Sequence, residues 1–127
     1  NGSYPNTRES YSNGTSPYGP YTTLVKNLTM IAGSTTKAEG FIENIYNDGW
    51  NDIKVILDWT NPANFTATIP LQATGKNYSG PTSVRSHAGK VNTFSSCDQS
   101  ITVTIQLTNA AGTAILDQDY QVRLKKQ

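Results

Sequence analysis

Ser86 and His87 stand side by side in SVRSHAGK, and a hydroxyl beside an imidazole is the raw material of a nucleophile and its base. Neighbours in an extended chain point to opposite faces, so these two form no dyad unless the segment is an irregular loop. No Gly-x-Ser-x-Gly elbow surrounds any serine, and His87, the only histidine, reads as a surface or loop residue. Asp117 and Asp119 are two positions apart on a strand, which sets their carboxylates about 6.5–7 Å from each other. That separation suits a calcium site or the acid pair of a glycosidase. A catalytic pair needs one carboxyl with a raised pKa inside a cleft, and both of these are expected in water. The stretch Asn47-Asp48-Gly49-Trp50-Asn51-Asp52 gathers hard oxygen ligands around a glycine turn. Calcium prefers such ligands, with Asp48 and Asp52 as the carboxylates, although the spacing is not that of an EF-hand and a turn held by Asx hydrogen bonds accounts for the same residues. No other cofactor is expected. Trp50 with Tyr46 or Tyr78 would make a stacking platform for a ligand ring if exposed, and a lid on the core if folded back.

These residues must be positioned by strands. Ile53, Val55, Leu57 and Trp59 alternate with polar or outward residues, as do Phe65, Ala67, Ile69 and Leu71, and the turn residues Asn61-Pro62-Ala63-Asn64 join the two runs into a hairpin. Pro70 sets the second run at an edge or a bulge. Ile101, Val103, Ile105 and Leu107 form a further strand, and Asn109-Ala110-Ala111-Gly112 turns it into a return strand with Leu116, Tyr120, Val122 and Leu124 on one face. Weaker strands are expected at 23–32, 38–46, 77–85 and 89–95. Seven or eight short strands with frequent turn signals predict an all-β, two-sheet sandwich of immunoglobulin-like or jelly-roll type. The C-terminal half, where the Gly89-Lys90 turn precedes a strand and the last two strands form a hairpin, resembles the immunoglobulin-like domains of bacterial surface proteins.

Residues 1–22 differ from the rest. They hold no aliphatic residue, three prolines and four tyrosines, and read as an extended Tyr/Pro/Gly-rich N-terminal arm ahead of a sandwich domain at 23–127.

Composition narrows the function classes. Only 15% of the 127 residues are charged and the net charge is +1, so no long-range field gathers nucleic acid, and no apolar run approaches the length of a transmembrane segment. The cluster Arg123, Lys125 and Lys126 reads as a solvated end that discourages edge pairing. Cys97 is the only cysteine, which excludes an intrachain disulfide and every cysteine-based zinc pattern, and its alternation parity with Ile101 points it into the core. Asn1, Asn13, Asn27, Asn64 and Asn77 head Asn-x-Ser/Thr sequons, the acceptors of a glycoprotein, and a chain opening on Asn rather than Met reads as processed.

Together these features predict a secreted or cell-surface protein with no catalytic role. The expectation is an extracellular structural or adhesive protein whose copies self-associate through the arm, with Tyr4, Tyr11, Tyr18 and Tyr21 anchoring it on a neighbouring subunit or an open sheet edge. The alternatives are a carbohydrate-binding module using its exposed aromatics, and a secreted inhibitor or toxin-like binding protein.

Overall fold

The computed structural model describes residues 2–11, 18–78, 80–95 and 99–125. Among these described residues ten strands follow one another: β1 (Gly2–Tyr11), β2 (Tyr18–Met30), β3 (Lys37–Glu43), β4 (Ile53–Asp58), β5 (Thr66–Thr68), β6 (Gln72–Asn77), β7 (Pro81–Ser86), β8 (Thr93–Phe94), β9 (Ile101–Asn109) and β10 (Ile115–Leu124). A 3-10 turn, Ile45–Asn47, lies between β3 and β4.

The strands do not divide into two sheets. They run in the order β10-β1-β2-β3-β4-β5-β8-β9, and β9 returns to pair with β10, so eight strands close into an antiparallel barrel. The expected sandwich, whether immunoglobulin-like or jelly-roll, is therefore corrected to a barrel. Period-two alternation cannot separate the two architectures, because both put every second residue inside. The resemblance of the C-terminal half to immunoglobulin-like domains goes no further than its hairpin of β9 and β10, whose register runs from Ile115↔Thr108 to Leu124↔Ile101.

Closure depends on the segment that looked like an arm. Residues 2–11 are β1, paired with β2 on one side and, through Arg8↔Arg123 to Tyr11↔Tyr120, with β10 on the other. Tyr18 and Tyr21 open β2.

One edge of β9 serves two strands. Ile101 and Thr102 pair with β8, whereas Ile105 to Asn109 pair with β7, which carries β6 beyond it. The free side of β6 then meets the start of β4 without a regular ladder. There the Gln72 side chain substitutes for a strand: its Oε1 accepts from Lys54 N–H at 2.8 Å and its Nε2 donates to Lys54 C=O at 3.0 Å. A backbone bond from Asn51 N to Thr74 O, 2.7 Å, extends this seam.

The barrel is filled rather than hollow. Ile42, Ile53, Val55, Val103, Ile105, Val122 and Leu124 are fully enclosed, and Trp50, Tyr4 and Tyr120 pack among them. The outer wall carries the ion pairs Lys26–Asp52, Lys37–Asp58 and Lys54–Glu39. An apolar interior behind a charged wall is the reverse of a transmembrane barrel, whose apolar band faces outward. Among the described residues no helix is long and apolar enough to cross a membrane.

Candidate functional site

Two places gather side chains with chemical potential, and β1 contributes to both. The first plugs one end of the barrel. Asn44 and Tyr46 adopt left-handed backbone conformations, with φ of 65° and 67°, which non-glycine residues adopt at a cost. The twist at Tyr46 lets its backbone N–H donate to Glu9 Oε2 at 2.6 Å, and the Glu9 carboxyl also bonds the Tyr120 side chain. Glu9 comes from β1 and is fully enclosed, with its other oxygen, Oε1, lacking a hydrogen-bond partner among the described residues. Burial pushes its pKa up from 4.5 to about 7, against the opposing pull of the bonds from Tyr120 and Tyr46.

Above Glu9 the Tyr46 ring stacks on Trp50, with centroids 5.2 Å apart and planes 16° off parallel, and it touches Tyr78 and Tyr120 at tilted angles. Trp50 Nε1–H donates to the Tyr78 hydroxyl at 2.8 Å, and that hydroxyl donates in turn to Asp48 Oδ2. Burial and then the bond to Asp48 push the Tyr78 pKa up to about 12.

Tyr46, Trp50 and Tyr78 are thus brought together, but as a plug rather than an open shelf. Trp50 is only 6% exposed and Tyr46 covers one of its faces, whereas Tyr78 remains 39% exposed. Asp48 is engaged by Tyr78, and Asp52 by Lys26 at 2.9 Å, so the two do not converge. Among the described residues no group of three or more His, Cys, Asp or Glu gathers to hold a metal. The Asp117 and Asp119 side chains and the Tyr11 side chain lie outside the described residues, as do Asn1, Asn13 and Cys97. Asn64 sits exposed in the turn after β4, Asn27 is exposed on β2 at a φ of 55°, and Asn77 is exposed at the end of β6. Ser86 and His87 part company: the Ser86 hydroxyl bonds the Ile69 backbone at 3.3 Å, and His87 Nδ1 lies 3.0 Å from Ala88 O.

The tyrosines of residues 1–22 also separate. Tyr4 is buried in the barrel core, while Tyr18 is exposed and packs 5.6 Å from the half-buried Tyr21.

The second place is a cleft of about 390 Å³ on the outer wall where β1 meets β10, lined by Asn6, Arg8, Arg123 and Lys125. Arg8 faces Arg123 directly in the ladder, and one rung further on Asn6 N–H donates to Lys125 C=O at 3.1 Å. Sequence reasoning treated Arg123 and Lys125 as a solvated end and passed over Arg8. Only the pairing of β1 with β10 brings them together.

Comparisons with family models, with curated proteins and with solved structures found no match, so geometry alone bears on function.

Proposed function

We propose that this chain is a non-catalytic structural module whose copies associate by exchanging the N-terminal strand β1. The observation that carries the reading is the composition of the β1 inner face. Thr7 and Glu9 are buried and polar, and among the described side chains of β1 Tyr4 is the apolar one buried with them. A strand held mainly by hydrogen bonds leaves its slot at less cost than one anchored by aliphatic side chains. The ladder is also imperfect, since register shifts interrupt the β1–β2 pairing between Tyr4 and Thr7 and again between Thr7 and Glu9.

The slot vacated by β1 is specific. It offers the unpaired edges of β2 and β10, a Thr23 hydroxyl that bonds Thr7 at 2.6 Å, and the Tyr46 N–H that holds Glu9. The strand that fits it is another copy of β1, and exchange of an identical element is a low-cost route to an oligomer. A non-catalytic role is supported by the sealing of Glu9 and by the separation of Ser86 from His87.

Light scattering on the full chain at several concentrations tests the proposal against a variant with Ser10→Cys, Gln121→Cys and Cys97→Ser, oxidised to lock β1 onto its own β10. Ser10 and Gln121 are direct partners in the ladder. The unlocked chain is expected to gain mass with concentration and time while the locked one stays a monomer. A parent chain that remains monomeric throughout, or a locked variant that associates equally, overturns the reading.

A further inference from the structure

Every described acidic side chain that makes an ion pair is spent on Lys26, Lys37 or Lys54. Among the described residues none reaches Arg8, Arg123 or Lys125, although these three cations share one cleft. Glu9, the acid nearest them in sequence, points inward and is held by Tyr46. Like charges placed directly opposite each other across a ladder are destabilising, and Arg8↔Arg123 is such a pair. The only hydrogen bond described for either guanidinium is a long one, from Arg123 Nη2 to Ser10 Oγ at 3.3 Å. The fold therefore holds a repulsive arrangement whose donors remain available.

We propose that the cleft between β1 and β10 is a binding site for a tetrahedral oxyanion, a phosphate or sulfate group. Two guanidinium forks on one rung offer planar paired donors that match such a group, and they do so better than the single point charge of a lysine. The Lys125 ammonium and the Asn6 side chain supply charge and polarity from the next rung, about 6.5–7 Å along the strand. The cleft is of a size that encloses a small ligand group. A whole-molecule charge of only +1 limits the attraction to this spot, which favours a compact anion over a long polyanion that needs an extended field.

The test uses the full chain and the inorganic ions themselves. Phosphate and sulfate are titrated separately at constant ionic strength, with chloride as the control, following backbone amide shifts around residues 6–10 and 121–125 together with the melting temperature. Parallel titrations use Arg8→Gln, Arg123→Gln and Arg123→Lys, with Lys37→Gln as a cation removed from elsewhere on the wall. Saturable binding is expected, weakened by about tenfold or more in Arg8→Gln and Arg123→Gln, less in Arg123→Lys, and unchanged in Lys37→Gln. Phosphate binding that strengthens between about pH 6 and 8 while sulfate binding stays level marks a doubly charged phosphate as the preferred group. The reverse preference marks a sulfate group. Without added anion, Arg8→Gln and Arg123→Gln should melt no lower than the parent, because they relieve repulsion, and this separates lost binding from lost folding. Absence of saturation, unaltered binding in both Arg→Gln variants, or an equal loss in Lys37→Gln overturns the assignment.

Discussion

Glu9 on β1 accepts a 2.6 Å hydrogen bond from the backbone N–H of Tyr46, a residue in the turn between β3 and β4 and 37 positions along the chain. One buried carboxylate thereby ties the closing strand to the aromatic plug. The tie is also ionisable, and its ionisation has a definite sign.

With a folded pKa of about 7 against an ordinary 4.5, the native state keeps a proton that the unfolded chain has already lost across that interval. Glu9 therefore costs nothing below about pH 4.5, costs progressively more up to about 7, and reaches a plateau beyond, of about 3–4 kcal/mol. Glu9→Gln should flatten that part of the profile and leave the variant more stable than the parent at pH 8. Urea unfolding midpoints at pH 5, 6, 7 and 8 measure this directly, and parallel curves for the two proteins would show that the carboxyl does not titrate in the window.

Gln72→Ala removes both hydrogen bonds to the Lys54 backbone and opens the seam between β4 and β6. The expected loss is about 1–3 kcal/mol, the cost of stranding partly buried peptide groups. Hydrogen exchange at the Lys54 amide should accelerate while Val55 and Leu57, deeper in β4, keep their protection. Gln72→Glu should restore the acceptor but not the donor, and so recover only part of the loss.

Gly19 has a φ of +112°, and a Cβ there would stand 2.5 Å from Thr7 O and 3.2 Å from Arg8 Cα. Gly19→Ala must push β1 away from β2. Gly89, with a φ of +85° but open space around it, supplies the comparison. Gly89→Ala should cost about 1 kcal/mol for the backbone conformation alone, and Gly19→Ala distinctly more. Thermal melts of the two variants side by side distinguish steric displacement of β1 from ordinary turn strain.

Much of the barrel was readable because its strands alternate cleanly. Ile53, Val55 and Leu57 are buried as their spacing requires, and the hairpin through Asn61–Asn64 pairs Ile56 with Thr68 and Leu57 with Ala67. Pro70 falls just beyond the end of β5, where no ladder needs its missing N–H. Other expectations slipped where the register shifts. Leu71 and Leu116 carry the right parity yet are exposed, Leu116 because the β9–β10 register shifts on either side of Asp117. The run expected at 77–85 is cut by Gly80, at a φ of +94°, so that β6 ends at Asn77 and β7 begins at Pro81.

The barrel itself was hidden for a different reason. β1 has no aliphatic residue, and its inward positions Thr7 and Glu9 are polar, so hydrophobic patterning gives no strand there. The cationic cleft was hidden with it, because Arg8 and Arg123 become neighbours only once β1 lies against β10. The aromatic plug was partly visible: Tyr46, Trp50 and Tyr78 stood out by type, whereas Glu9 and Tyr120 join them only through closure of the ring.

The antiparallel seam between β1 and β10 also fixes how the barrel responds to load. Asn6 and Lys125 lie at the same end of that seam, and inward from them come Arg8↔Arg123 and then Glu9↔Val122. Tension applied to the chain before Asn6 and after Lys125 does not slide the strands past each other, which would strain every bond together. It peels them apart, and hydrogen bonds perpendicular to the strands then give way one rung at a time. The Asn6–Lys125 bond takes the force first and the arginine pair next, making this seam a mechanical zipper whose opening force is set at its outermost rungs.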